Sequence, residues 1–509
     1  MHPSAPALIQ ASRRVSYAEL ARSADALAAT LAGLGVEKGD RVAYLGPNDI
    51  ATFETLFAAT RLGAIFVALN ARLAGPEIAY LLGDCTPKVL VLAPELSDIA
   101  SVAMDLGNIT PHIVHLHAGG CGGQHKSAPW YRSAEPPPEA EVSLADPAII
   151  LYTSGTTGKP KGAVLTHGNI TWNTVNQFAH FTIGSNDVVL CSAPLYHVLG
   201  LGQITLPALY AGGTVIVVPK FDPADFLATI ETERVTAFPL APTMLQMLCE
   251  HPAWQSADLS SVTCVVYGGS AISERVAKSW LSRGVNVLQG YGMTEAAPGI
   301  FMALSYGALD HPVSAGVPHF FTDIKLLTAA GGVIDGPGQG ELLVRGPNVF
   351  CGYWNQPEAT QQSFIDGWFR TGDIVRIDAD GWAHIAGRVK DLIISGGENI
   401  YPAEVEAVIG EIDGVSACAV IAVPDERWGE VGAAYLVVAD GCDPDEAGIR
   451  THLNRNLARF KVPKYFTFLN ELPRNATGKI MRQQLRDHAR EAHRAQNDLK
   501  ALPERTNPA

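Results

Sequence analysis

The chain has 509 residues, enough for a large domain and a small one, and 47% of them are apolar against 17% charged, which excludes a disordered or fibrous protein. A formal net charge of −14 argues against a nucleic-acid partner and against general attraction to anionic lipid. The 8 cysteines are scattered without a CxxC pair, which excludes a disulfide framework or zinc ribbon and fits a reducing compartment.

Ser16-Tyr17-Ala18-Glu19 reads as a capping box, with Leu20, Ala24, Leu27, Leu31 and Leu34 following at helical spacing and Gly35 able to stop the helix. A short apolar run, Val42 to Leu45, then predicts a strand, Ala51 to Leu62 a second helix, and Ala64–Leu69 and Val89–Leu92 two more strands. Strands alternating with helices argue for a wound α/β architecture. Residues 118–138 are a Gly/Pro-rich loop, after which the α/β rhythm resumes to about residue 300. From Gly331 to Gly346 Gly-punctuated short runs suggest a small β-subdomain, and the glycines at 336–340 open no helix, so they are not a dinucleotide fingerprint. A break falls at Gly387–Asp391. Beyond it, a strand at Leu392–Ile394, a helix at Pro402–Ile409, a strand at Ala417–Val423 and a helix near Ala447–Leu457 read as a small α+β domain with a charged helical tail after Leu485. The expected division is 1–387 and 388–509. The N-terminus lacks a basic, apolar leader and no run of about 18 apolar residues occurs, so the expected location is cytoplasmic.

Five stretches carry chemistry. The apolar run Ala148 to Tyr152 leads into Thr153-Ser154-Gly155-Thr156-Thr157-Gly158-Lys159-Pro160-Lys161-Gly162. Its glycines let backbone N–H groups converge, and its hydroxyls and lysines add donors and charge, as a phosphate cradle needs. Pro160 after Lys159 rules out a Walker A loop. On residue types alone, a basic surface hairpin is the competing reading. Gly290-Tyr291-Gly292-Met293-Thr294-Glu295 offers a ring to stack on a purine and a carboxylate for a divalent cation; by itself it also reads as a tight turn with a solvated Glu. Asp373 in Thr371-Gly372-Asp373 reads alone as a turn-capping residue. Gly387-Arg388-Val389-Lys390-Asp391 with Ile394-Ser395-Gly396-Gly397-Glu398-Asn399 reads alone as an exposed polar turn, and Lys479 in Pro473-Arg474-Asn475-Ala476-Thr477-Gly478-Lys479 as a solvated charge.

Together and in this order, these stretches resemble the adenylate-forming superfamily of acyl-CoA synthetases, luciferases and peptide-synthetase adenylation domains. The likeness runs from about Ser16 to Arg482, with a stretch before Ala7 that is short for the family. It implies a large N-terminal domain of wound α/β subdomains plus a β-subdomain, and a small mobile α+β C-terminal domain. It implies ATP, Mg²⁺ and coenzyme A as cofactors or co-substrates. ATP would be bound by Thr153, Ser154, Gly155, Thr156, Thr157, Gly158 and Lys159, by Gly268, Gly269 and Ser270, by Gly290, Tyr291, Gly292, Met293 and Thr294, and by Asp373, Arg388 and Lys479. Asp373 would accept from the ribose hydroxyls. Glu295 with Thr153 would hold Mg²⁺. Lys479, Glu295, Thr294 and His197 would be catalytic, with Lys479 bridging the carboxylate and the α-phosphate. Lys390 would be the hinge. Gly396, Gly397 and Glu398 would line the pantetheine path, and Trp428, Phe460, Lys461 and Lys464 would meet the CoA nucleotide; a half-buried Trp and a helix-end charge patch are the competing readings.

The acyl pocket would be lined by Tyr196, His197, Gly268, Gly269, Gln289 and Gly290, the glycines leaving space for the acid. His197 either sits near the carboxylate or is a buried ring bonded to a carbonyl. No Asp occurs at Leu195–Val198, as amino-acid-activating relatives have, and no Arg precedes Gly290, as malonate-activating relatives have, so the acid's tail is expected to be uncharged. The expected activity is ATP-dependent adenylation of a medium- or long-chain fatty acid and its transfer to CoA. THGNITWN and GYGMTEAAPG are equally similar to bacterial feruloyl-CoA synthetases, which keeps an aryl or hydroxycinnamoyl acid as an alternative; an acyl-AMP ligase loading a carrier protein is a third. Retention of both Lys479 and Glu295 argues against a non-catalytic nucleotide-binding protein. No G-x-S-x-G elbow suggests a serine hydrolase. A homodimer and a peripheral membrane contact, without a transmembrane segment, are compatible with the resemblance.

Overall fold

The computed structural model describes residues 2–116, 137, 139–153, 159–268, 272, 274–307, 311, 314–395, 398–425, 427–439, 441–442, 444–475 and 478–500. The chain forms two compact units, residues 1–325 with 343–370, and residues 326–342 with 371–509. The large unit is built as the alternation predicts. Ser16 caps the helix Tyr17–Gly33 by accepting from the Glu19 N–H, while the Glu19 carboxylate accepts from the Ser16 N–H. Helix Ile50–Arg61 follows strand Arg41–Leu45, and helix Gly75–Cys85 follows strand Ile65–Leu69.

Among the described residues, these strands belong to a seven-stranded sheet. Strands 41–45, 65–69, 89–92, 112–115 and 147–153 run parallel, and two antiparallel strands, Lys161–Thr166 and Gly352–Tyr353, extend one edge. A nine-stranded sheet carries the other half of the unit. Its parallel centre includes strands 188–191, 214–217, 237–240, 264–267 and 287–292; Gly299–Met302 then pairs antiparallel to 287–292. The central strands are buried throughout their length, as helices on both faces require. Phe238, Tyr267, Trp254 and Trp280 fill one core, while Leu45, Val67, Leu82 and Leu92 belong to the core under the seven-stranded sheet. Most of the Gly/Pro-rich loop at 118–138 lies outside the described residues.

In the small unit, strand Trp368–Ile377, which enters it at Thr371, pairs antiparallel with Ala383–Arg388. A five-stranded sheet follows, centred on the long hairpin Val415–Asp425 and Gly429–Val438. Alternation along these strands divides the side chains between two faces. Val420, Ala434 and Leu436 meet Val405, Ile409, Ile449 and Leu453 of helices Pro402–Ile409 and Glu446–Asn456. Ala419, Ile421, Ala433 and Tyr435 meet Leu485 of helix Arg482–Lys500. The α/β class, with a large N-terminal and a small C-terminal domain, is therefore as the sequence indicates. No helix among the described residues is long and apolar enough to cross a membrane.

Candidate active site

The phosphate-cradle sequence joins two antiparallel strands. Thr153 pairs with Lys161 and Tyr152 with Gly162, so the strands on either side of this sequence run antiparallel. Ser154, Gly155, Thr156, Thr157 and Gly158 lie outside the described residues. The flanking lysines are placed by aromatic rings: the Lys159 ammonium is 5.7 Å from the Tyr80 ring centre, and that of Lys161 is 5.0 Å from the Tyr353 ring centre. Tyr80 also donates to the Pro160 carbonyl at 3.1 Å.

Strand Val287–Gly292 ends in the Tyr-Gly stretch, and Thr294–Ala296 is a single 3₁₀ turn. Tyr291 is half-buried with its ring 5.6 Å from that of Phe301, and Met293 closes the hairpin by donating its N–H to the Pro298 carbonyl. Gly292 is required there, because a Cβ would lie 1.7 Å from the Pro298 oxygen. Thr294 and Glu295 are each 7% exposed, so Glu295 is not the solvated turn residue its neighbours suggest when read alone. The Tyr353 hydroxyl donates to Glu295 Oε1 at 2.8 Å. Burial and the neighbouring Glu295 charge push the Tyr353 phenol far above its ordinary pKa, so it is a neutral donor at any physiological pH. The turn packs against strand Lys161–Thr166, which brings Glu295 to the phosphate hairpin. A buried carboxylate beside a phenol hydroxyl offers the kind of oxygen ligand that a hard divalent cation takes.

Tyr353 is the residue sequence reasoning missed. Its two-residue strand pairs with Lys161–Thr166, and its partner Glu295 lies far away in the chain, so no local pattern marks it. Its neighbours hold the same turn: Phe350 N–H donates to the Glu295 carbonyl at 2.8 Å, and the Asn348 amide donates to the Ala296 and Gly299 carbonyls at 3.1 and 2.7 Å.

His197 is half-buried, and its Nδ1 accepts from Leu199 N–H at 3.4 Å, capping the short helix Val198–Gly202. An accepting Nδ1 puts the proton of the neutral ring on Nε2. Tyr196 beside it has a buried hydroxyl without a hydrogen-bond partner among the described residues, and burial raises its pKa. Gln289 is buried and accepts from the Tyr267 hydroxyl at 3.3 Å. Gly268 and Gly290 do not simply leave room for a ligand, as expected. A Cβ on Gly268 would lie 3.0 Å from the Gly290 carbonyl, and one on Gly290 would lie 3.1 Å from the Gln203 amide nitrogen. These glycines allow close packing of neighbouring strands and of a buried amide. Gly269 and Ser270 lie outside the described residues.

The small unit gathers a second set. Asp373 stands in a strand, not in a turn, where it pairs with Arg388 across the hairpin. Its carboxylate is 2.9 Å from Arg388 Nε and is 5% exposed as a residue. Lys479 sits where Arg474 and Ile480 form a bridge, with its N–H bonded to Asn475 Oδ1 at 2.9 Å. Surrounding protein atoms, then the Arg388 and Lys390 cations, push its pKa down to about 8, while Asp373 and Asp391 oppose the shift. Lys390 is itself lowered, by desolvation and then by Arg388. Asp373, Arg388, Lys390 and Lys479 therefore form one electrostatic cluster, although the sequence scatters them over a hundred residues. Asp391 is held by Arg486 of the C-terminal helix.

Of the residues expected to meet CoA, Glu398, Trp428, Phe460 and Lys464 are exposed and Lys461 is half-buried. Lys464 is 2.6 Å from Asp425, which also accepts the Trp428 N–H at 2.9 Å, so these two residues share one anchor. Trp428 is 47% exposed, with the Arg427 guanidinium 4.7 Å from its ring. Lys461 is 2.6 Å from Glu404 and Phe460 is exposed beside it. Glu398 is exposed in strand Glu398–Ile400, whereas Gly396 and Gly397 lie outside the described residues.

Residues 1–354 match the AMP-binding enzyme family and residues 404–479 match the AMP-binding enzyme C-terminal domain, so the chain belongs to the AMP-binding, or adenylate-forming, enzymes. It is similar to a feruloyl-CoA synthase of an Amycolatopsis species, 45% identical over 96% of both chains, and to a long-chain-fatty-acid–CoA ligase of Mycobacterium tuberculosis, 38% identical over 93% of both. ATP-bound MatB from Rhodopseudomonas palustris superposes with a TM-score of 0.88 at 32% identity, over 96% of this chain and 97% of that one. Within the family, the chain is an AMP-forming acid–thiol ligase, an acyl-CoA synthetase that uses ATP and CoA.

Proposed function

We propose that the acid is aromatic, with a hydroxycinnamate-type tail, and that the residues above divide the work between two half-reactions. In the first, a carboxylate oxygen attacks the α-phosphorus of ATP, the α–β bond breaks and pyrophosphate leaves. A carboxylate cannot itself acylate a thiol, and the task at this step is neutralising and aligning anions. The 153–159 hairpin would bind the phosphates, Tyr291 would stack on the adenine, and Asp373 with Arg388 would hold the ribose. Glu295 and Thr153 would hold Mg²⁺, which when bound offsets phosphate charge. Lys479 would carry its cation to the oxygens between the acid and the α-phosphate, with His197 and Thr294 lining the same site. In the second half-reaction, the CoA thiolate attacks the acyl carbon and AMP leaves with the bonding pair. Gly396, Gly397, Glu398, Trp428, Phe460, Lys461 and Lys464 would serve CoA. Residues 388–509 would turn about Lys390 relative to 1–387 between the steps. Both co-substrates are drawn from the cytoplasm, where we place the enzyme.

The buried, tyrosine-anchored Glu295 beside the phosphate hairpin is the observation that carries the adenylation roles. For the acid, support comes from the feruloyl-CoA synthase, which is more similar to this chain than the fatty-acid ligase. Uncharged Tyr196, Gln289 and Gln203 beside the expected pocket fit an uncharged tail. The test is pyrophosphate release from Mg²⁺-ATP with ferulate, cinnamate, benzoate, octanoate, palmitate and malonate, with and without CoA. Ferulate is expected to give the highest kcat/KM, with sustained turnover only when CoA is present. A higher value for octanoate or palmitate returns the assignment to a fatty acid, and pyrophosphate without thioester points to a carrier-protein acceptor.

A further inference from the structure

We propose that Tyr353 is a positioning residue for adenylation, a role that rests on the reading of Glu295 as the metal-binding carboxylate. Three contacts converge on it. Its hydroxyl donates to Glu295 Oε1 at 2.8 Å. Its ring lies under the Lys161 ammonium at 5.0 Å. Its backbone is registered against Ala163, two residues beyond Lys161 in the strand that leaves the phosphate hairpin. One side chain therefore sets both the orientation of the carboxylate and the position of a phosphate-loop cation.

The local fold is built to hold it there. Gly352 has φ +146°, and a Cβ on it would lie 2.6 Å from the Thr360 methyl. Thr360 Oγ1 in turn accepts the Tyr353 N–H at 2.9 Å. The ring of buried Phe350 packs edge-on against that of Tyr353 at 4.9 Å. Segment 348–353 thus holds the Glu295 turn at successive points, through the Asn348 amide, the Phe350 N–H and the Tyr353 hydroxyl. The first two fix the backbone of the turn. Of the three, the Tyr353 hydroxyl is the one that meets the carboxylate, so removing it alters the orientation of that group and keeps the two backbone contacts of the turn. Partners that orient a metal-binding carboxylate from behind typically contribute 10–100-fold to metal affinity.

The experiment compares wild type, Tyr353→Phe and Glu295→Gln by calorimetric titration of ATP with and without Mg²⁺, with the thermal unfolding midpoint of each apo-protein. Tyr353→Phe keeps the ring under Lys161 and against Phe350 and removes only the hydroxyl. It is expected to weaken ATP binding in Mg²⁺ about 10-fold, to leave Mg²⁺-free ATP binding within about twofold, and to raise the Mg²⁺ concentration for half-maximal pyrophosphate release. A Tyr353→Phe protein with a lowered unfolding midpoint but wild-type Mg²⁺ dependence would make the residue merely structural and overturn the proposal. If Glu295→Gln also leaves Mg²⁺ dependence unchanged, the reading of Glu295 itself falls, which separates the two failures.

Discussion

Lys479 illustrates how a residue's chemistry is set by what surrounds it. An ordinary lysine stays largely cationic up to about pH 10. Although Lys479 is solvent-exposed, surrounding protein atoms and the Arg388 and Lys390 cations lower its pKa to about 8. The sign follows directly. If adenylation needs the charged form, pyrophosphate release must fall as pH rises through about 8 and must be level below it. Measured without CoA, so that thiol ionisation plays no part, the pH profile should break near 8. The residual activity of Lys479→Arg should show no such break, because arginine keeps its charge. A wild-type profile level to pH 9.5 would contradict the lowered pKa of Lys479, and a Lys479→Arg variant that breaks at the same pH as wild type would assign the break to another group. Asp373 belongs to the same electrostatic cluster and meets Arg388 at 2.9 Å, in an arrangement suited to a ribose and already satisfied without one.

At the scale of elements, the loop around Glu295 depends on backbone approach. Gly292→Ala would drive a methyl into the Pro298 carbonyl, against which a Cβ has only 1.7 Å. The hairpin closed by Met293 N–H would have to open. Relief of such a clash is expected to cost roughly 2–4 kcal/mol of stability, readable as a lowered urea midpoint, and to abolish ATP-dependent pyrophosphate release; a variant with wild-type midpoint and activity would show that the turn can shift freely. This is also where legibility in the sequence divides. Helix 17–33 was announced by its capping box and period, and strand 89–92 by four apolar residues between breakers, because those signals are local. The phosphate-loop and Tyr-Gly-Met-Thr-Glu stretches stand out in the sequence because glycines, hydroxyls and charges adjoin in the chain. Tyr353 was not, since its meaning comes from a two-residue edge strand and a carboxylate in the 3₁₀ turn Thr294–Ala296. Gly268 and Gly290 misled for a related reason: a sequence shows that a side chain is missing and not what fills the space. The salt bridges that occupy Lys461 and Lys464 were equally invisible, because Glu404 and Asp425 are distant in the chain.

For the whole molecule, the residues given roles are shared between the two units, and Asp373 falls in the small unit although the proposed turning point at Lys390 lies after it. Thr153, His197, Tyr291, Thr294 and Glu295 belong to the large unit, and Asp373, Arg388, Lys390 and Lys479 to the small one. Under the proposed mechanism, Lys479 serves adenylation only, and thioester formation would use other residues of the small unit. The most direct measurement supplies each half-reaction separately to Lys479→Ala. Pyrophosphate release from ATP and acid should fall by about 100-fold or more, while CoA-thioester formation from pre-made acyl-adenylate should stay within a few-fold of wild type. Equal loss in both half-reactions would contradict the division of labour and make Lys479 a structural or general binding residue.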